Sequence, residues 1–313
     1  MKILVTGACG YKGSVLVPKL LNKGHSVTAV DIMWFGNYLP KHPLLRVVKG
    51  DVNDISSLPF DDVNTVIHLS SIANDPCGDL NPKLTWETSC LATMRLADRA
   101  KRAGVSQFIY ASSGSVYGVK KEEKVTEDLE LVPISEYNKT KMVAERALMS
   151  YKDNFSLQIV RPATVCGLSP RMRFDVSVNM LTMQGLTRGL ITVLGGDQTR
   201  PNIHIDDIAD LYIYLIENPQ VQGIYNAGFE NLSIIKIAEM VAKKTGARIS
   251  IEPSNDPRSY RVDSTKILKT GYRPKKTVSN AIDEIIAAYK QGKLEDKDEY
   301  YNLRWMQKNE LGK

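Results

Sequence analysis

The first 31 residues restrict the fold more than any other part of the chain. The apolar run Lys2–Thr6 (KILVT) stops at Gly7-Ala-Cys-Gly10-Tyr11-Lys12-Gly13, an apolar-periodic stretch covers 13–21, and a second apolar run, Ser26–Asp31, follows. This is the pattern of strand, glycine turn, helix, strand. Glycines spaced GxxGxxG between a strand and a helix permit a tight turn, and they let backbone N–H groups at the helix N-terminus approach a pyrophosphate. Asp31 closes the second strand, where a carboxylate can accept hydrogen bonds from the hydroxyls of an adenosine ribose and would repel a 2′-phosphate. NAD is therefore expected rather than NADP. Lys12 is unusual in such a turn, because its ammonium could reach a phosphate.

The same alternation continues along the chain. Strand-like runs at Leu45–Lys49, 65–69, Gln107–Ala111 and 157–160 are separated by helical patterns at 82–102 and 135–151, which predicts a doubly wound parallel α/β sheet of the Rossmann kind. We assign residues 1–166 to this nucleotide-binding domain. Residues 167–313 read as a smaller mixed α/β substrate-binding lobe, with some segments returning to the main sheet. Its helical patterns lie at 176–188, 206–217, 233–244 and 278–291, with a strand at Arg248–Glu252. The charged tail 294–313, whose apolar content is Tyr300, Tyr301, Leu303, Trp305 and Met306, is expected to dock as a helix. Asp51 and Val52, after the third strand, and Leu69, Ser70 and Ser71, after the fourth, fall at C-terminal strand ends, where ligands of such sheets bind.

Composition narrows the function classes. The 41 basic and 35 acidic residues of the 313-residue chain are spread without a basic block, which argues against nucleic acid as a partner. No apolar run is long enough to cross a bilayer and no signal-peptide pattern opens the chain, so a cytoplasmic protein without a membrane partner is expected. Cys9, Cys77, Cys90 and Cys166 lack the spacing of a zinc site or a disulfide framework, and no metal is expected.

A tyrosine four residues before a lysine on a helix places both on one face, where the ammonium can stabilise a phenolate. Four such pairs occur: Tyr117/Lys121, Tyr137/Lys141, Tyr272/Lys276 and Tyr289/Lys293. Pro274 interrupts the third, Gly292 the fourth, and Gly118 puts the first in a loop. Tyr137/Lys141 alone opens a good helical pattern. Upstream, Ser112-Ser113-Gly-Ser115-Val-Tyr117-Gly118 follows the strand ending at Ala111 and brings a hydroxyl to the same sheet edge. Ser113, Tyr137 and Lys141 then form a general-base site beside a nicotinamide.

Together these motifs, with Arg161-Pro162-Ala-Thr164 and Arg200-Pro-Asn-Ile-His204-Ile-Asp206-Asp207, resemble the extended short-chain dehydrogenase/reductases, specifically the nucleotide-sugar epimerase and dehydratase group, over nearly the whole chain. The resemblance implies that Ser113 orients a sugar hydroxyl and that Tyr137 removes its proton. It further implies that Lys141 holds the cofactor ribose and lowers the tyrosine pKa, and that Pro162 lies by the nicotinamide. It assigns Arg200 and Arg258 to the substrate diphosphate, Thr164 to the substrate, and, through Ser169-Pro170-Arg171-Met-Arg173-Phe-Asp175, Arg171 to the substrate pocket.

Gly114-Ser115 stands where the 4,6-dehydratases of the group carry Asp-Glu, which disfavours dehydration. Ser89 and Thr164 replace asparagines common in relatives. The expected activity is that of an NAD-dependent nucleotide-sugar 4-epimerase. A 4-dehydrogenase that releases its keto product, with a heptose among the candidate sugars, is the alternative, and an inactive NAD-sensing scaffold is a third reading. A homodimer is expected through helices 82–102 and 135–151, with Leu84, Leu91, Met94 and Ala97 forming an apolar stripe.

Overall fold

The computed structural model describes residues 1–254 and 259–312. Seven parallel strands form the main sheet, built from β1 (Lys2–Thr6), β2 (Ser26–Asp31), β3 (Leu45–Lys49), β4 (Thr65–His68), β5 (Gln107–Ala111), β6 (Ser156–Pro162) and β10 (Gly223–Ala227). Their order, β10-β6-β5-β4-β1-β2-β3, reverses direction between β1 and β4. That reversal opens a crevice beyond the C-terminal ends of the strands, the usual ligand position in such sheets.

Burial explains why the strand segments read as near-continuous apolar runs. Every residue of β4 and β5 is buried, as a parallel sheet covered on both faces requires. Helices α1 (Gly13–Asn22) and α7 (Ile205–Glu217) pack on each other on one side, with Leu16, Leu20, Leu211 and Leu215 in the core. The other face is covered by α4 (Ala92–Arg102) and α5 (Glu136–Met149), with Leu96, Ala97, Ala144 and Leu148 in its core.

The helical stretch at 82–102 is not one regular helix. It consists of α3 (Pro82–Trp86), a π turn over Glu87–Leu91, and α4. The wider turn rotates the faces out of step, and the expected four-residue stripe divides. Leu91 and Met94 are exposed, Ala97 is fully buried against the sheet, and the half-buried Leu84 packs towards the C-terminal segment. A strict helical count through this stretch therefore misassigns its inner and outer faces.

The smaller lobe contains two short sheets. In one, β9 (Thr199–His204) pairs in parallel with β7 (Thr164–Cys166) and antiparallel with β11 (Glu230–Ser233); in the other, β8 (Leu190–Leu194) pairs in parallel with β12 (Arg248–Glu252). Helices α6 (Ser177–Arg188), α8 (Ile234–Thr245) and α10 (Val278–Lys290) enclose its core around Leu181, Ile191, Ile237 and Ile282. The chain passes back and forth between the lobes, since both α7 and β10 complete the main sheet. The charged tail does dock, through a 3-10 turn at Asp298–Tyr300 and the helix Asn302–Lys308.

Candidate active site

A cleft of about 620 Å³ runs along the C-terminal edge of the sheet and between the lobes. Gly7, Gly10, Tyr11, Lys12 and Gly13 line it, as do Asp31, Asp51, Val52, Leu69, Ser70 and Ser71. So do Ala111, Ser113, Tyr137, Lys141, Pro162, Thr164, Arg171 and Arg200. Of the residues singled out from sequence, only Arg258 lies outside the described residues.

The glycine turn is shaped by close backbone approach. Gly7 has φ +68°, and a Cβ on it would lie 2.6 Å from the Ser70 nitrogen; a Cβ on Gly13 would lie 2.3 Å from the Ala8 oxygen. Side chains are excluded there because strand β1, the loop after β4 and the start of α1 converge. Asp31 is fixed by two backbone donors, Cys9 N at 3.0 Å and Met33 N at 2.7 Å, while burial pushes its carboxyl pKa up. Asp51 accepts from Asn53 N at 2.8 Å, and Val52 is buried beside it. The Tyr11 phenol donates to the Gly167 carbonyl at 2.7 Å and accepts from Asn179 at 3.0 Å, tying the turn to the second lobe.

At the other end of the cleft, Ser135 caps α5 by accepting from Asn138 N at 3.2 Å, which sets the helix start one residue before Tyr137. Tyr137 hydrogen-bonds with Ser113, which opposes the upward push of burial on its pKa; Asp75 raises it further and Arg173 lowers it. Lys141 is almost fully buried and donates to the Ala111 carbonyl at 2.8 Å, with its ammonium 4.8 Å from the Tyr110 ring centre and 6.0 Å from that of Tyr137. Burial first, and then the Lys12 charge, push Lys141 down to about 7, against a smaller pull from Glu145. Lys12 is itself pushed down to about 8 by burial and by Arg173.

Two participants had no sequence signal of their own. Ser115 shares a hydrogen bond with Ser113 at 2.7 Å and donates to the Asn138 side-chain oxygen, so a short polar relay runs from the catalytic hydroxyl to the tyrosine helix. Arg173 is paired with Asp175 at 2.9 and 3.1 Å, and Asp175 also accepts from Asn74 at 2.8 Å. Ser89, in place of the asparagine common in relatives, accepts from Ile72 N at 3.2 Å and shares a 3.0 Å hydrogen bond with Ser71, bracing the loop after β4.

Two of the other three Tyr/Lys pairs have separate tasks. Tyr117 donates to Asn226 and accepts from Arg161 in a buried network, Tyr272 donates to the Asp207 carbonyl, and Lys276 is 2.6 Å from both Asp206 and Glu284. Lys276 occupies the charge-balancing place in the one constellation with metal-ligand types among the described residues, His204, Asp206 and Glu284.

Arg200 and Thr164 stand on the second-lobe wall of the cleft, on the paired strands β9 and β7. Arg171 does not join them. It lies on the Phe35 ring at 4.1 Å and donates to the Asn302 oxygen at 2.5 Å, within electrostatic reach of Asp31.

The residues present fit a dinucleotide. The cradle that would reject a Cβ lies at one helix N-terminus, a carboxylate with free lone pairs lies at the end of β2, and two half-buried or buried ammonium groups lie between that turn and Tyr137.

Comparison with known proteins agrees with this geometry. Residues 3–228 match the model of the NAD dependent epimerase/dehydratase family. The chain is 27% identical over 309 residues to a UDP-glucose 4-epimerase of Corynebacterium glutamicum, covering 91% of this chain and 94% of that protein. It is 30% identical over 284 residues to YtcB of Bacillus subtilis, an uncharacterized UDP-glucose epimerase, covering 82% of this chain and 88% of that protein. Among solved structures, UDP-glucuronic acid 4-epimerase from Bacillus cereus in complex with UDP-glucuronic acid and NAD superposes with a TM-score of 0.82 at 28% identity, covering 93% of this chain and 99% of that one.

Proposed function

Because the chain belongs to the NAD-dependent epimerase/dehydratase family, we propose that it is a nucleotide-sugar 4-epimerase. It is an enzyme of the short-chain dehydrogenase/reductase type, and its cofactor is NAD. The observation that carries the finer reading is the arrangement of Ser113, Tyr137 and Lys141 at one end of the cleft, with the nearby carboxylates already engaged. Asp175 is held by Arg173 and Asn74, and Asp75 accepts from Ser135 at 2.7 Å. A hydroxyl-directed base is present, whereas Gly114-Ser115 supplies no acid and base for loss of water.

In this reading Ser113, polarised by Ser115 and Asn138, fixes the orientation of the sugar C4 hydroxyl. The Tyr137 phenolate accepts its proton, and the Lys141 ammonium stabilises that phenolate across the shared helix face. NAD, held by the glycine turn, Asp31 and Lys141, would supply a reversible hydride acceptor for the sugar carbon whose hydroxyl Ser113 and Tyr137 face. Arg200 and the second-lobe wall hold the nucleoside diphosphate, for which the planar guanidinium provides bidentate contacts to phosphate oxygens. Arg258 is proposed to share that role. Lys12 is proposed to meet the cofactor's pyrophosphate.

The test is incubation of the purified enzyme with a panel of nucleotide sugars, following absorbance of reduced nicotinamide and product mass. An epimerase gives products of unchanged mass with no net NADH. A product two mass units lighter with stoichiometric NADH refutes the epimerase reading in favour of the dehydrogenase. Tyr137→Phe is expected to lower turnover by roughly 10²-fold or more with NAD binding nearly intact, and undiminished turnover would reject the mechanism.

We also propose that the protein dimerises through the outer faces of α4 and α5, where Leu91, Met94 and Met149 are exposed apolar side chains. Sedimentation is expected to give twice the chain mass at micromolar concentration; a monomer there rejects this.

A further inference from the structure

Beyond α10, the chain runs back across the first lobe and joins two separate parts of it and one segment of the second lobe. The Tyr300 carbonyl accepts from Phe174 N at 2.8 Å, the Trp305 indole donates to the Trp34 carbonyl at 2.8 Å, and the Asn81 side chain donates to the Gly312 carbonyl at 2.8 Å. Tyr38 donates to Glu299 at 2.6 Å, and Met306 packs with Ile72 and Cys77. Trp34 and Tyr38 belong to the loop that follows Asp31, and Ile72 and Asn81 to the region after β4. The C-terminal helix α11 (Asn302–Lys308) thus spans both loops that flank the adenosine end of the cleft.

Asn302, itself buried and lining the cleft, is where this segment enters the site. Its side-chain oxygen accepts from Arg171 Nη2, the Met172 carbonyl accepts from Nη1 at 3.1 Å, and Phe35 covers one face of the guanidinium. Arg171 is only 2% exposed, and its Nε has no hydrogen-bond partner among the described residues. A buried guanidinium with an unmet donor calls for an acceptor. Asp31, its neighbour, offers only acceptors and Arg171 only donors. An adenosine, with hydroxyl donors on its ribose and acceptor atoms on ribose and base, complements both. A 2′-phosphate would suit the arginine and be repelled by the aspartate.

We propose that Arg171, oriented by Asn302 of α11, forms part of the adenosine end of the NAD site, so that the docked C-terminal segment and the bound cofactor hold each other in place. Asn302 acts as a positioning residue in this arrangement. By linkage, whatever loosens the segment weakens NAD binding, and NAD in turn stabilises the docked segment; with association unchanged, the weaker binding shows as faster release. A cofactor so held stays with the enzyme between turnovers, as a reaction that returns its own hydride requires.

The test needs no sugar, so its outcome is independent of the epimerase reading. The NAD dissociation rate is measured on purified protein by rapid gel filtration, alongside hydrogen exchange of residues 298–312 with and without NAD. Asn302→Leu, which removes the acceptor, is expected to speed release at least tenfold and to abolish the slowing of exchange by NAD. Asn302→Asp keeps an acceptor for Arg171 and is expected to stay within threefold of the wild type, a rescue that a purely structural role would not give. Trp305→Phe, a milder change at the far end of the helix, is expected to speed release about threefold and carries the test if Asn302→Leu does not fold. Wild-type release from Asn302→Leu, or tail exchange indifferent to NAD in the wild type, overturns the proposal.

Discussion

Replacing Lys141 with methionine should cripple catalysis and stabilise the cofactor-free protein, and the second effect should depend on pH in a calculable way. The folded protein holds this lysine at about 7, against an ordinary value of 10.5, chiefly because burial disfavours its charge. Between those two values the unfolded chain binds more protons than the folded one, so stability rises with pH across the window. The penalty is fully present below pH 7 and is gone above 10.5. At 1.36 kcal/mol per pKa unit it is on the order of 5 kcal/mol at its fullest, and it shrinks by roughly half between pH 6 and pH 9.

Methionine carries no charge and keeps a similar stem. The variant leaves the Ala111 carbonyl without its ammonium partner, a loss of about 1 kcal/mol that does not vary with pH and cancels when pH values are compared. Urea unfolding of cofactor-free wild type and Lys141→Met at pH 6, 7, 8 and 9 measures the difference directly. The stability advantage of the variant should be greatest at pH 6 and smaller by a few kcal/mol at pH 9. Parallel pH profiles for the two proteins would refute the claim that the site stores an electrostatic penalty in Lys141.

Two further outcomes follow from the charge arrangement. Glu145→Gln removes the carboxylate that pairs with Arg161 at 2.6 Å in the core, both side chains being no more than 3% exposed; an uncompensated buried cation should cost roughly 3–5 kcal/mol in urea unfolding. An intact stability would show that the Tyr117 and Glu127 contacts of Arg161 suffice without it. Lys12, held at about 8, loses its proton as pH rises through that value, so wild-type NAD affinity should fall between pH 7 and pH 9 more steeply than that of Lys12→Met. Calorimetric titration at the two pH values checks this, and equal slopes would remove Lys12 from the phosphate contact.

The elements of the first lobe were legible in the sequence because each depends on short-range chemistry. A parallel strand buried on both faces is an unbroken apolar run, as in β5; β1, β2, β3, β5 and β12 have the boundaries read from the sequence, although β3 and β12 are largely exposed. Strands β7 to β11 were not foreseen. Several carry polar residues that break the apolar run, as in Thr199–His204 (TRPNIH) and Glu230–Ser233 (ENLS), and what fixes them is pairing at a distance, as with Thr164 opposite Asn202 and Gly223 opposite Gln158. The π turn after Trp86 escaped for a related reason: periodicity fixes a face only while the turn stays regular, and one wider turn sends Ala97 inward and leaves Leu91 and Met94 outside.

The site divides along the same line. Gly7, Gly13, Asp31 and the Tyr137/Lys141 pair are set by spacing within a single turn, strand end or helix face, so the sequence by itself determined a glycine turn, a carboxylate at a strand end and a tyrosine–lysine pair at one edge of an α/β sheet. Only the tertiary structure decided that Tyr11 anchors the second lobe, that Ser115 and Asn138 stand behind Ser113, and that Arg171 meets Asp31 and Asn302 instead of Arg200. Hydrogen bonds, burial and ion pairing act through space, and the groups concerned are brought together from positions as far apart as Arg171 and Asn302 only when the sheet, the second lobe and the C-terminal helix have packed.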